Sequence, residues 1–413
     1  MERTIFHIDV NSAFLSWEAV ERLSNGEVTD IRQQTAVIGG DESNRHGIVL
    51  AKSQSAKKFG IRTGESLFSA RTKCPDLVVY PSHYSLYIQY SNELYRLLSN
   101  YAPVIQRFSV DECFLDYTGM QGLFGEPEEA AHTISGRIKK ELGYTVNIGI
   151  STNKILAKMA SDFEKPDKIH TLYPQEIRAK MWPLPVRELF MVGAKSEEKL
   201  KKIGITTIGR LACCDPAVLR RHLKSFGIVL WEYANGIDNA PVVNSAQIPI
   251  KSVGNSTTTK NDVTDAATAR SVLLSLVETA SGRLRRYGLR TGNITVSIKN
   301  ADFKTASHGR KMEESIHATN EIFEISCYLF FQLWKGEPLR SIGVSLSDLT
   351  ENSASQLSIL DINSKSEQLS ETIDSIRKKF GNKSIMRSRF LENDVPFMVR
   401  GEDEINASKT NII

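Results

Sequence analysis

The sequence is short of several things. It has five cysteines in 413 residues, Cys74, Cys113, Cys213, Cys214 and Cys327. No two form a C-x-x-C pair, which argues against a zinc site and against a disulfide framework. Scattered thiols of this kind fit a reducing, cytoplasmic setting. No apolar run approaches the ~20 residues of a membrane span, so no membrane partner is expected. The first nine residues reach Asp9 before a secretory apolar region could form. Charge of one sign is not in excess either: 52 Lys+Arg stand against 48 Asp+Glu, a net +4. A polyanionic partner must therefore be argued from where the charges lie, because their sum is nearly neutral. There is no internal repeat. A hydrophobic content of 41% with 24% charged residues excludes wholesale disorder and a collagen-like fibre.

What is present is an alternation of strand and helix signals. At roughly 100–200 residues per domain the length allows two to four domains. Ile5-Phe6-His7-Ile8 reads as a buried strand ending at Asp9, with an amphipathic helix from about Ser12. Short strands surround Gly39-Gly40-Asp41, and residues 52–59 read as a helix closed by Gly60. Helices are expected over 84–98, 127–142, 153–163, 266–287, 319–334 and 366–380. Strands are expected at 108–110, 113–116 and 144–150. Residues 292–299 and 340–347 alternate strictly, as half-exposed strands do. Residues 167–235 are mostly helical and Lys-rich, and 236–250, with Gly236, Pro241 and Pro249, read as a linker.

Asp9 ends one apolar strand, and Asp111-Glu112 stand at a strand break about a hundred residues later. Carboxylates placed at the rims of neighbouring strands would converge, repel one another and require cations. Oxygen-only ligation suits Mg²⁺, which takes substrate phosphates as further ligands. An isolated acid at a strand end is ordinary, and spacing alone does not raise these three above that. Their surroundings do.

Ile8-Asp9-Val10-Asn11-Ser12-Ala13-Phe14 resembles the first motif of the Y-family translesion DNA polymerases, in the UmuC-like form where D-V-N replaces D-x-D. Ser109-Val110-Asp111-Glu112-Cys113-Phe114-Leu115-Asp116 resembles the second. Ser151 to Ser161, followed by Lys165-Pro166, resembles the third. Three motifs in order are a far more specific signal than one. The resemblance implies an α+β multidomain right-hand polymerase. Its palm would be 1–20 and 78–166, its fingers 21–77 and its helical thumb 167–235. The linker 236–250 would lead to an α/β little finger at 251–350 and a tail at 351–413.

By resemblance, Asp9, Asp111 and Glu112, with the Val10 carbonyl, would bind two Mg²⁺ ions. Asn11 replaces an acid that many relatives carry and that is not one of the three ligands. Phe14 would be the steric gate that leaves no room for a 2′-hydroxyl. Gln54, Lys57 and Lys165 would lie at the triphosphate, with Lys57 replacing an Arg and so lacking its bidentate grip. Residues 190–211 resemble a helix-hairpin-helix whose turn, Met191-Val192-Gly193, lacks one glycine. Gly193 and Lys195 would approach a DNA phosphate there. In the little finger Lys251, Arg286 and Lys299, together with Arg283, Arg285 and Arg290, would be available for backbone contacts. Gln356-Leu357-Ser358-Ile359-Leu360 resembles the peptide that docks bacterial polymerases on the sliding clamp, through Gln356, Leu357, Ile359 and Leu360. The expected partners are primer-template DNA, dNTPs and the clamp, with the chain a monomer that does not proofread. A non-catalytic DNA- and clamp-binding scaffold and a different palm-type enzyme, such as a nucleotidyl cyclase, are the other readings. Retention of the three acids and Lys165 disfavours the first. The DNA-holding segments disfavour the second.

Overall fold

The computed structural model of the chain describes residues 2–42, 45, 47–352 and 364–390. The chain divides into two units, with the boundary between Ile248 and Pro249.

In the first unit the elements run β1 (Ile5–Val10), α1 (Ala13–Ser24), β2 (Ala36–Gly39), β3 (Val49–Lys52), α2 (Gln54–Lys58), α3 (Leu67–Lys73), β4 (Val78–Pro81), α4 (Tyr84–Leu98), β5 (Ile105–Arg107), β6 (Glu112–Asp116), α5 (Gln121–Phe124), α6 (Pro127–Arg137), β7 (Val146–Ser151), α7 (Lys154–Asp162) and β8 (Ile169–Thr171). Four more helices follow: α8 (Ala194–Lys202), α9 (Ile208–Ala212), α10 (Pro216–Leu223) and α11 (Ser225–Ala234). Strands pair in the order β5-β6-β1-β7-β8. Every residue of β1 and β7 is buried, although residues 144–150 alternate apolar and polar in sequence as a half-exposed strand would. β1 lies antiparallel to β6 with Asp9 opposite Glu112, and antiparallel to β7 with Val10 opposite Val146. Helix α7 presses close on β7: a Cβ at Gly149 would collide with the Ala157 carbonyl and the Ser161 amide.

A second, smaller sheet has the order β3-β2-β4. Helix α1 serves both layers. Trp17 enters the core under the large sheet, while Leu15 and Ala19 pack on Ile31, Ala36 and Ile38. β4 pairs parallel with β2, so this sheet draws on residues 78–81, which the sequence reading placed at the start of the palm. The residues read as a linker are not a free connection as far as 248. Val242 is buried beside Ile5, Phe114 and Ala157. Asp238 accepts from the Ile155 amide at 3.2 Å, and Ser245 Oγ accepts from the Arg107 amide at 2.8 Å.

The second unit is a four-stranded sheet backed by helices. Its elements are β9 (Ser252–Val263), α12 (Ala266–Arg286), β10 (Leu289–Asn300), β11 (Thr305–Ile316), α13 (Thr319–Leu333), β12 (Leu339–Glu351) and α14 (Ser364–Phe380). The strand order is β11-β10-β12-β9. Ile294, Val296 and Ile298 of β10 and Ile342, Val344 and Leu346 of β12 face the helices. Thr295, Ser297, Lys299, Ser341 and Ser345 alternate onto the other face, half-exposed. The strands β9 and β11 escape the period-2 signal because both are polar along most of their length, and β11 is almost wholly exposed.

Helix α14 docks on the helical back of this unit through ion pairs. Arg285 reaches Asp374 at 2.6 Å, Arg290 reaches Glu367 at 2.7 Å, and Arg377 reaches the buried Glu278 at 2.6 Å. Arg387 joins Glu278 at 2.5 Å.

Candidate active site

Asp9 and Glu112 are brought together by strand register: they are direct cross-strand neighbours where β1 and β6 meet. The Val10 amide donates to the Asp111 carbonyl at 3.1 Å, which fixes the third acid beside them. Ser109 Oγ holds Asp111 Oδ1 at 2.5 Å. All three acids line one cleft of about 450 Å³, together with Val10, Asn11, Ala13, Phe14, Lys52, Gln54, Lys57 and Lys165. The register therefore converts two distant sequence segments into one acidic floor.

Two lysines hold that floor. Lys165 Nζ reaches Asp9 at 2.5 Å and Asp162 at 2.8 Å. Lys158, only 7% exposed, reaches Glu112 at 2.8 Å and lies over the rings of Phe108 and Phe190. Burial pushes the Glu112 carboxyl up to about 7, against the attraction of Lys158. Burial also raises Asp9, against the pull of Lys165. For Lys165 burial acts downward, but the Asp9 and Asp162 carboxylates outweigh it and hold its ammonium above the ordinary lysine range. Buried carboxylates that burial makes reluctant to ionise are suited to a tightly held cation. The donors here are hard oxygens, which fits Mg²⁺ in kind. Among the described residues no group of three His, Cys, Asp or Glu side chains closes on a single point. In this arrangement lysine ammoniums neutralise Asp9 and Glu112.

The wall of the cleft is aromatic and cationic. Phe14 stacks on Tyr87 at 4.3 Å with the rings 8° apart. The Tyr87 hydroxyl donates to the buried Glu18 at 2.8 Å, and His83 Nδ1 lies 2.8 Å from the same oxygen. Phe14 is thus gripped from behind and presents its ring to the cleft. On the opposite wall Ser53 caps α2, accepting from the Ala56 amide at 3.1 Å. This sets Gln54 and Lys57 three residues apart, on one side of a short helix. Ala13 lines the floor nearby.

Sequence reasoning missed Lys52 and Lys158. Lys52 also lines the cleft. Burial and the neighbouring Lys57 ammonium lower its pKa below the usual lysine range. Among the described residues neither Lys52 nor Lys57 forms an ion pair. The signal for Lys52 was its place next to Ser53, on the same strand face as Leu50. Lys158 stands inside the third motif, but only tertiary packing shows that it is buried against Glu112.

The residues expected to hold DNA fall in different places. Gly193 caps α8 with φ −80°, and among the described residues a Cβ there would meet nothing within 4 Å. Lys195 is exposed on its first turn. Met191 fills the place of the missing glycine and adopts the left-handed φ of 75° itself, a strain of about 1–2 kcal/mol for a residue with a Cβ. Lys251 is exposed just before β9, and Lys299 lies on the outward face of β10. Arg286 is at the end of α12, on the helical layer and not on the open sheet face. Arg285 and Arg290 are engaged by α14, and Arg283 is buried against the Gly254 carbonyl. These three are structural cations. Arg285 and Arg290 looked available only because the sequence does not reveal that a later helix pairs with them, and Arg283 because it does not reveal that the end of α12 packs on β9. Gln356, Leu357, Ile359 and Leu360 lie outside the described residues.

Comparison with known proteins agrees with this geometry. Residues 8–162 match the impB/mucB/samB family, residues 174–205 match the HHH motif of that family, and residues 250–359 match its C-terminal domain. A DNA polymerase IV of Clostridium acetobutylicum is 48% identical over 95% of this chain and all of its own length. DNA polymerase IV 2 of Bacillus subtilis is 35% identical over 94% of this chain and 95% of its own. Among solved structures, a Y-family DNA polymerase chimera of Dbh and Dpo4 covers 84% of this chain and all of its own, with TM-score 0.72 and 23% identity. A Dbh ternary complex covers 83% of this chain and 98% of its own, with TM-score 0.57 and the same identity. An acidic floor at a strand junction, an aromatic wall beside it and near-complete coverage by such relatives have one reading: this chain belongs to the impB/mucB/samB family of Y-family translesion DNA polymerases.

Proposed function

We propose that the chain is a DNA-directed DNA polymerase that extends a primer past damaged template, transferring a nucleotide from a dNTP to the primer 3′-hydroxyl with release of pyrophosphate. The observation that carries this reading is the gathering of Asp9, Asp111, Glu112, Phe14, Lys57 and Lys165 around one cleft.

Divalent cations, two Mg²⁺ in this proposal, would be held by Asp9, Asp111, Glu112 and the Val10 carbonyl and would supply Lewis-acid activation and charge neutralisation. The rest falls to the chain's own side chains. Lys57, Gln54 and Lys165 bind and orient the triphosphate, because phosphoryl transfer is governed mainly by positioning and electrostatics. Phe14, braced by Tyr87, occupies the space a 2′-hydroxyl would need. Lys158 and Lys165 hold Glu112 and Asp9 in place before substrate arrives.

The Gly193 turn and Lys195 would contact a DNA phosphate, since helix N-termini present free N–H groups to anions. Lys251, Lys299 and the hydroxyl-rich face of the second unit's sheet would meet the backbone in the same sequence-independent way. Gln356-Leu357-Ser358-Ile359-Leu360 would dock on the sliding clamp as an extended peptide. Substituting Gln356→Ala with Leu357→Ala should abolish clamp pull-down and spare distributive synthesis.

Primer extension across an abasic site tests the proposal. Extension is expected with Mg²⁺, and none with a chelator or with Asp111→Ala/Glu112→Ala. Extension that persists in the double variant would refute it. Duplex binding without any extension would favour the scaffold.

A further inference from the structure

We propose that Asn11 and Asn147 form an amide lock that sets the position of Lys165; the proposal rests on the triphosphate role given to Lys165 above. Both side chains are buried, Asn147 completely. Asn11 Nδ2 donates to Asn147 Oδ1 at 2.9 Å. Asn11 Oδ1 accepts from the Thr145 hydroxyl and from the Asp167 amide, each at 2.9 Å. Asn147 Nδ2 donates to the Ser161 carbonyl at 3.0 Å and to the Glu164 carbonyl at 2.6 Å. Its Oδ1 also takes the Lys168 amide at 3.3 Å. The two amides therefore grip the backbone at 161 and 164 on one side of Lys165, and at 167 and 168 on the other. Lys165 itself makes its ion pairs with Asp9 and Asp162. The lock fixes the segment from which that side chain reaches the cleft.

The network leaves no freedom in either amide. Each Asn11 and Asn147 oxygen faces donors, and each Nδ2 faces carbonyl oxygens, so neither group can flip without burying unpaired polar atoms. A carboxylate at position 11 would keep its contacts with Thr145 and Asp167. It would also place an anion against the Asn147 oxygen with no proton between them. Asn147 could not turn away, because its oxygen would then face the Ser161 and Glu164 carbonyls. The amide at 11 is thus the partner that the amide at 147 requires. The D-V-N form of the first motif is a positioning feature of this chain and not a lost metal ligand.

The test measures dNTP KM and kcat in primer extension, together with hydrogen exchange of peptides spanning 162–169 in the ligand-free protein. Asn11→Asp is expected to raise KM about tenfold, the worth of one or two net hydrogen bonds, with kcat within about threefold, and to speed exchange. Asn11→Ala, which removes the bonds without adding charge beside Asp9, should move both readouts the same way. In a Lys165→Ala background Asn11→Asp should add little, because groups acting through one another are not additive. Unchanged KM in both Asn11 variants, or an equal rise with and without Lys165, overturns the lock. If Lys165→Ala alone leaves KM unchanged, the triphosphate assignment itself fails and takes the proposal with it.

Discussion

In the first unit the charges that matter are sunk at the end of a buried strand: Asp9 is 7% exposed and Lys158 the same. In the second unit the open sheet face carries Thr295, Ser297, Ser341 and Ser345 around Lys299, all within reach of water. Its buried arginines serve a different purpose, tying α12 and β10 to α14. Chemistry on a phosphate needs charges already desolvated and held before substrate arrives. Holding a polyanion of any sequence needs the reverse, solvated groups that exchange water and counterions for phosphates. A basic side chain in this protein therefore signifies different things according to its depth, and the contrast can be broken at either end.

The largest effect belongs to the acidic floor. Asp111→Ala/Glu112→Ala should lower single-turnover incorporation by at least about a thousandfold, while duplex affinity in a gel-shift assay stays within a few-fold. A parallel loss of both would erase the contrast between the units. Next comes Glu278, buried between Arg377 and Arg387. Glu278→Gln strands two guanidiniums and should cost the second unit about 3 kcal/mol, read as a lower denaturant midpoint, with the salt slope of DNA binding unchanged.

Phe14→Ala should admit ribonucleotides, narrowing the dNTP-to-rNTP ratio of kcat/KM by roughly 10–100-fold. A variant that discriminates as well as the parent removes Phe14 from the gate. The open sheet face gives a smaller change. Lys299→Ala should weaken duplex binding evenly across sequences and reduce the log–log salt slope by about one unit. Arg285→Ala should instead lower stability and leave the slope alone. The smallest effect sharpens the comparison within the first unit. Among the described residues nothing crowds a Cβ at Gly193, so Gly193→Ala should leave the melting temperature nearly unchanged and still weaken duplex binding if a phosphate approaches that turn. Unaltered binding removes Gly193 from the interface.

Much of the site was legible because its residues stand in contiguous motifs. Asp9 through Phe14 are consecutive, and so are Asp111-Glu112. Local alternation likewise gave the helix at 84–98 and the strands around 292–299 and 340–347, where burial imposes a period. It did not give β9 or β11, whose polar residues carry no such imprint. Nor did it show that residues 236–248 lie on the large sheet, since Val242 and Ser245 are ordinary residues in a Pro-containing stretch.

By itself the sequence determined which groups the candidate site offers: three oxygen acids, an aromatic at the fifth position after the first of them, and lysines suited in kind to phosphates. The tertiary structure alone decided what each cation does. Lys158 is bound to Glu112, Lys52 turns into the cleft, and Arg285 is held by a helix almost ninety positions further along. The physical reason is that side-chain chemistry is carried by the residue itself. Its burial and its partner come from segments that meet only when the chain is folded.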